Sequence, residues 1–196
     1  MDHESVLNEF RAADALLEGH FVLSSGKHSN RYLQCARVMM DAARAARLLG
    51  ALAEKVRTEI DGPIDLVVSP AMGGVIVGYE LARQLKVPAI FMERVEGEFE
   101  LRRGFEIEEG SRILMVEDIV TTGLSSRECI GAIRNHGGNV VGGACLIDRS
   151  NGKADIGVPL VPLIRLEVPV YDPDDLPDDL KTIPAVKPGS RGLNKG

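Results

Sequence analysis

Residues 112–126 read RILMVEDIVTTGLSS, and the reading of this stretch decides the fold. Arg112-Ile113-Leu114-Met115-Val116 is a short apolar run with the composition of a buried β-strand. Leu124-Ser125-Ser126 reads as the start of a helix. Between them stand two adjacent carboxylates, Glu117 and Asp118, and then Ile119, Val120, Thr121, Thr122 and Gly123. A strand that passes through a small-residue turn into a helix argues a parallel α/β sheet, in which ligands bind beyond the carboxyl ends of the strands. The first N–H groups of such a helix lack intrahelical partners, and the helix dipole adds to them, so the turn suits a phosphate. Ser125 with Glu128 three residues on also fits a capping box, in which the hydroxyls serve the helix alone. Capping leaves the acidic pair unexplained. Two carboxylates beside a phosphate cradle suit a ligand with hydroxyls next to its phosphate, such as a ribose 5-phosphate. They also suit a developing positive charge at a sugar carbon, or a hydrated metal. GxxxxGK[ST] and a strand-linked GxGxxG are both absent, which excludes the common nucleotide loops.

Outward from this stretch the rhythm is strand, loop, helix. IDLVVS (64–69), PAIFME (88–93), NVVGGACLID (139–148) and VPLIRLEV (161–168) read as strands, and 75–85 and 125–136 as helices. Val6, Phe10, Ala13 and Leu17 predict an amphipathic helix over 4–17, broken by Gly19, and Leu48, Leu52, Val56 and Ile60 predict another from Asp41 to Ile60. FVLSSGKHSNRYLQC (21–35) reads as two short strands around a Ser-Gly turn. Residues 94–111 interrupt the pattern with alternating polarity and turn glycines at 97 and 104. They read as a solvated β-hairpin and, compatibly, as a mobile flap over a site. The Pro- and Asp-rich end reads as an ordered wrap with one short helix and loose last residues. The whole is expected to be one domain, 1–196.

Composition bounds the function. The 196 residues carry 29 acidic and 23 basic side chains, a net charge of −6, which argues against a broad nucleic-acid or membrane surface. Cys35, Cys129 and Cys145 form no CxxC pair and read as reduced, buried thiols. The start, MDHESVLNEF, has no basic segment followed by an apolar one, and no apolar run approaches membrane-spanning length. A cytoplasmic protein is expected.

The residues also carry a resemblance. VEDIVTTG, in its strand–turn–helix context, resembles the phosphoribosyl pyrophosphate (PRPP) motif of the type I phosphoribosyltransferases. Within that family the chain resembles the orotate-specific members over roughly 10–190. FVLSSGKHSNRYLQC is similar to their hood segment, SPAMGGVIVG to the pyrophosphate loop, FMER to the start of the flap, and LIDRSNG to the segment whose arginine meets orotate. The resemblance implies the type I fold, a mostly parallel sheet flanked by helices, with a hood from about 18–38 plus the C-terminal segment and a flap at about 94–111. It implies transfer of the phosphoribosyl group from PRPP to orotate, releasing pyrophosphate, with Mg²⁺ held mainly by substrate oxygens, in a homodimer that shares its flap across the interface. It places Glu117 and Asp118 on the ribose hydroxyls, Glu117 to Ser125 along PRPP, Thr121 and Arg149 on orotate, and the N–H groups of Met72, Gly73 and Gly74 on pyrophosphate. Lys27, Tyr32, Arg94, Arg102 and Arg103 are further candidates.

The flap departs from the family pattern. It holds no lysine and no histidine, so Arg102 or Arg103 is left to neutralise pyrophosphate, and Ser24 stands where some members have a hood lysine. Another type I phosphoribosyltransferase, acting on a purine or uracil, would share the cradle but not the hood pattern. A non-catalytic PRPP-sensing regulator is the reading that the lysine-free flap favours.

Overall fold

The computed structural model describes residues 1–23 and 25–188; Ser24 and the end of the tail lie outside the described residues. Six strands form the main sheet in the order β5-β4-β3-β6-β7-β8. They are β3 (Leu66–Pro70), β4 (Ala89–Val95), β5 (Glu98–Leu101), β6 (Arg112–Val120), β7 (Asn139–Asp148) and β8 (Leu160–Arg165). All neighbours are parallel except β5, which turns back on β4.

Alternation along each strand divides the core between two faces. Val67, Leu114 and Val116 pack with Leu48, Leu52 and Val56 of α3 (Ala42–Glu59) and with Val77 and Leu81 of α4 (Gly73–Leu85). Val68, Ile113 and Met115 pack with Cys129, Ile130 and Ile133 of α5 (Leu124–Asn135). Helix α4 sits unusually close to the sheet. A Cβ on Gly78 would lie 1.8 Å from Ser69 Oγ, and one on Gly74 would lie 2.8 Å from the Val116 carbonyl oxygen. Both glycines are therefore required by packing.

The expected elements are present, with shifted ends. Helix α1 (His3–Ala12) stops before Leu17, because Asp14 takes a left-handed conformation at φ 48° and Leu16 begins β1 (Leu16–Val22). Gly19 lies in an irregularity of β1 where its register against β2 (His28–Leu33) shifts. A short helix, α2 (Cys35–Met39), was not signalled by periodicity. Strand β6 continues to Val120, so the acidic pair lies within the strand and not in the turn after it.

The 94–111 segment is a hairpin in its first part, turning at Glu96 and Gly97, and it is only partly solvated: Phe99 is buried against α5. The tail carries the short helix α6 (Asp178–Lys181) and wraps both edges of the β1–β2 hairpin. Tyr171 exchanges two 2.8 Å backbone hydrogen bonds with His28, and Val186 lies on the other edge, bonded at 2.8 Å to Val22 and His20. His20 is buried. Its Nδ1–H donates to the Ile183 carbonyl at 2.8 Å, and its other ring nitrogen shares a 2.5 Å hydrogen bond with His28.

Candidate active site

Alternation determines where the acidic pair points. Glu117 follows Ile113 and Met115 towards α5, where Ser126 Oγ–H donates to its carboxylate. Asp118 follows Leu114 and Val116 towards α4, and its carboxylate lies 3.0–3.2 Å from where a Cβ on Gly73 would stand. The two carboxylates thus address opposite sides of the strand end. Burial pushes both up from the ordinary carboxylate range; hydrogen bonds from Ser126 and Ser125 work against this at Glu117, and the Ile119 N–H does so at Asp118.

On the Glu117 side the chain forms a cavity of about 250 Å³, lined by Arg94, Glu117, Ile119, Thr121, Thr122, Gly123, Leu124, Ser125 and Glu128. Gly123, at φ 76°, is the N-cap of α5 and has no side chain with which to cap it. The capping box is not formed, because the helix begins at Leu124 and Ser125 lies inside it; Glu128 receives the guanidinium of Arg94. Thr121 and Thr122 are exposed, and the Thr122 Oγ1 accepts a long 3.4 Å hydrogen bond from the Leu124 N–H, so the first turn of α5 faces the cavity with hydroxyls and loosely held N–H groups. Val120 is part of the core, contributing only its backbone here.

On the Asp118 side, Met72 is the N-cap of α4 and again no side chain caps the helix. Gly73 is exposed and Gly74 buried. Two helix N-termini whose N-cap residues supply no side-chain cap therefore flank one strand end, with one carboxylate aimed at each.

Arg149 stands at the same edge of the sheet. Its N–H donates to the Val120 carbonyl at 2.8 Å, which ties the end of β7 to the start of the cradle. Its Nε is buried with no hydrogen-bond partner among the described residues. Burial pulls its pKa down, and Tyr32 is the group whose charge acts on it in the other direction. The strand-end ion pair belongs to Asp148 and Arg165, 3.5 Å apart, and Asp148 also accepts from the Ser150 and Gly152 N–H groups. Arg149 has no share in it. The Tyr32 ring packs on Phe21 with centroids 5.9 Å apart.

Other candidates are held elsewhere. Lys27 pairs with Asp172 of the tail at 3.1 Å. Arg103 forks onto Glu93 at 2.6 and 3.2 Å, and Arg102 lies 4.0 Å from the same carboxylate, so neither lines the cavity. Arg94 does. Sequence reasoning missed Asn30, whose Oδ1 is also buried without a partner among the described residues, and the His20–His28 contact; neither has a local pattern that announces it.

Comparison with known proteins bears on this geometry. Residues 39–160 match the family model described as the phosphoribosyl transferase domain. The orotate phosphoribosyltransferase of Rhizorhabdus wittichii is 61% identical over 191 residues, 97% of each chain. That of Parvibaculum lavamentivorans is 61% identical over 193 residues, 98% of this chain and 100% of the relative. Among solved structures, the orotate phosphoribosyltransferase of Aeropyrum pernix superposes with a TM-score of 0.69 at 26% identity, covering 82% of this chain and 93% of that one. An adenine phosphoribosyltransferase from Thermoanaerobacter pseudethanolicus, at 22% identity and a TM-score of 0.58, covers 69% and 88% and shares the fold.

Proposed function

We propose, for a chain that belongs to the phosphoribosyl transferase family and within it to the orotate phosphoribosyltransferases, the transfer of the 5-phosphoribosyl group of PRPP to orotate. The products are orotidine 5′-monophosphate and pyrophosphate, and the reaction serves pyrimidine nucleotide synthesis. The observation that carries the orotate assignment is Arg149, half-buried, with a buried Nε that has no hydrogen-bond partner among the described residues, at the sheet edge that also holds the cradle. Orotate differs from uracil by a carboxylate, and a buried carboxylate needs a matched cation; the planar fork of arginine fits both its oxygens.

The chemistry asks the protein mainly for positioning and charge. The ring nitrogen of orotate gives up its proton to solvent or to the departing pyrophosphate and bonds to C1 of the ribose, as the bond from C1 to pyrophosphate breaks and its electron pair leaves with that group. The 5′-phosphate would rest on Thr121 to Ser125 at the α5 N-terminus. Pyrophosphate would lie on the other side, against the α4 N-terminus at Met72-Gly73-Gly74. The ribose then spans the end of β6 with its hydroxyls donating to Glu117 and Asp118. Those carboxylates, ionised, oppose the positive charge that develops at C1.

Mg²⁺ fits the donors present. Asp118 supplies hard carboxylate oxygens on the pyrophosphate side, of the kind that Mg²⁺ takes beside phosphate oxygens. The ion would neutralise charge on pyrophosphate.

We further assign the β1–β2 hairpin with its tail strands as the hood over the base, and 94–111 as a flap. The flap would be shared across a homodimer, in a cytoplasmic protein; no helix among the described residues is long and apolar enough to cross a membrane. Mixing an Asp118→Asn protein with an Arg102→Ala/Arg103→Ala protein tests the sharing, since hybrid dimers would regain one complete site. No recovery after confirmed subunit exchange would reject it. For the activity itself, the test is loss of orotate absorbance with PRPP and Mg²⁺. Turnover with a purine or uracil but not orotate would overturn the assignment, and PRPP binding without any turnover would favour a regulator.

A further inference from the structure

The carbonyl groups on either side of Gly123 are both held by one residue. The Arg127 N–H donates to the Gly123 carbonyl at 2.9 Å, and the Arg127 Nη1 donates to the Thr122 carbonyl at 3.5 Å. The same nitrogen donates to the Asp155 carbonyl, in the loop that follows β7. That loop is braced. Ile156 is buried, Asp155 Oδ1 accepts from the Gly157 N–H at 2.8 Å, and Ser150 Oγ accepts from the Ala154 N–H at 2.8 Å. It stands directly behind the turn, since a Cβ on Gly123 would lie 3.4 Å from the Asp155 carbonyl oxygen. Arg127 itself is exposed and does not line the cavity.

A trans peptide is planar, with its C=O and N–H pointing in opposite directions. Holding the Thr122 carbonyl towards Arg127 therefore turns the Gly123 N–H the other way, to the cavity that Gly123 lines. The peptide after Gly123 is fixed by the helix. Among the described residues no main-chain donor reaches the Thr122 carbonyl, so the Thr122–Gly123 peptide lacks that support. Glycine also leaves it free to turn over. Reversal takes Gly123 from φ 76° to the negative side, which glycine adopts as readily. A reversed peptide would present a carbonyl oxygen to an anion.

We propose that Arg127 is a positioning residue that locks the Thr122–Gly123 peptide with its N–H towards the 5′-phosphate of PRPP. The inference rests on reading the cavity as the 5′-phosphate site. Arginine suits the task because its guanidinium reaches two carbonyls at once, one on the turn and one on the braced loop. It acts through the turn and touches no substrate.

The test combines PRPP titrations by calorimetry, with Mg²⁺ and without orotate, and NMR of protein labelled at its glycine nitrogens. The proteins are the wild type, Arg127→Ala and Arg127→Lys. In the wild type a single Gly123 amide resonance should move downfield as PRPP binds, because that N–H donates to phosphate. Arg127→Ala should bind PRPP about three- to tenfold more weakly, the range that one hydrogen bond carries. Its free form should show the Gly123 amide doubled or broadened by exchange between the two peptide orientations. Arg127→Lys keeps the charge but does not span both carbonyls, so it should fall between. The orotate KM should change little, since Arg149 is held by its own bond to Val120. If Arg127 is only a distant charge, Arg127→Lys binds PRPP as the wild type does and the Gly123 amide is alike in all three proteins. That result overturns the proposal, as does wild-type affinity in Arg127→Ala, or weaker binding with an unaltered Gly123 amide. A wild type that binds no PRPP overturns the reading of the cavity beneath it as well.

Discussion

The proposed phosphate side of the site is one continuous stretch, Ile119 to Ser125, from the end of β6 into α5, whereas the proposed base side is gathered from Tyr32 in β2, Arg149 after β7, and a tail that meets β1 and β2 at Val186 and Tyr171. The turn carries its geometry in its own residues. Gly123 supplies the left-handed conformation, β6 fixes the direction of approach, and the first turn of α5 supplies the donors. The base side has no such local insurance. Arg149 is held by its backbone bond to Val120, and its side chain keeps a buried nitrogen without a partner among the described residues. A contiguous cradle depends on conformation, and a dispersed pocket depends on the packing that assembles it. Substitutions on the two sides should therefore fail in different ways.

The sharpest contrast lies at the strand end that both sides share. Asp118→Asn should lower kcat by about a hundredfold, the scale of losing one charge aimed at a developing transition state. The fold should hold, because burial already disfavours the ionised carboxyl there. Steady-state turnover with a thermal melt on the same preparation checks both halves. Undiminished turnover would remove Asp118 from the site.

Arg149→Ala isolates the base side. Removing one partner of a desolvated charge pair typically costs about 2–5 kcal/mol, so the orotate requirement should rise by roughly 30-fold or more while PRPP binding changes little. Paired titrations separate the two substrates. Equal weakening of both would mean that Arg149 supports the strand ends and not the base.

Gly123→Ala attacks the cradle by conformation alone. A Cβ there requires a left-handed residue at φ 76° and would stand 3.0 Å from Ile156 Cγ2, so stability should fall by about 1–2 kcal/mol. PRPP affinity should fall with it while the orotate KM stays near wild type. Loss of orotate binding in step with PRPP would break the distinction between a local cradle and a separately assembled pocket.

The smallest effect is expected at Glu117, and it has the opposite sign for stability. Its folded-state pKa is raised, chiefly by burial. The contribution of this group to stability is therefore present below the ordinary glutamate range and is lost as pH rises through the raised value. Glu117→Gln should melt slightly higher than wild type at neutral pH, converge with it in acid, and turn over more slowly. Denaturation midpoints across pH 4–8 test this, and a variant less stable at neutral pH would show that the Ser126 hydrogen bond outweighs the burial of the charge.

Much of this molecule is determined over short range. The strand–turn–helix of 112–126, the periodicity of α3, and the alternation that makes a parallel sheet are properties of neighbouring residues, because backbone hydrogen bonding and apolar spacing act over one or two turns or strands. For the same reason the phosphate cradle and its acidic pair stand in a single line of text. Tertiary structure decided the rest. Leu17 joined a strand because β2 was there to pair with it. Gly74 and Gly78 are glycines because α4 presses on Val116 and Ser69, residues that belong to other elements. Ser125 and Glu128 have the spacing of a capping box, yet the helix starts earlier, with Gly123 as its N-cap, and the hairpin brings Arg94 to Glu128. Arg149 differs from its neighbour Asp148 only once Arg165 has taken that carboxylate from β8. Each of these depends on which distant groups the packed sheet brings within a few ångströms, a matter of three-dimensional neighbours that no spacing along the chain encodes.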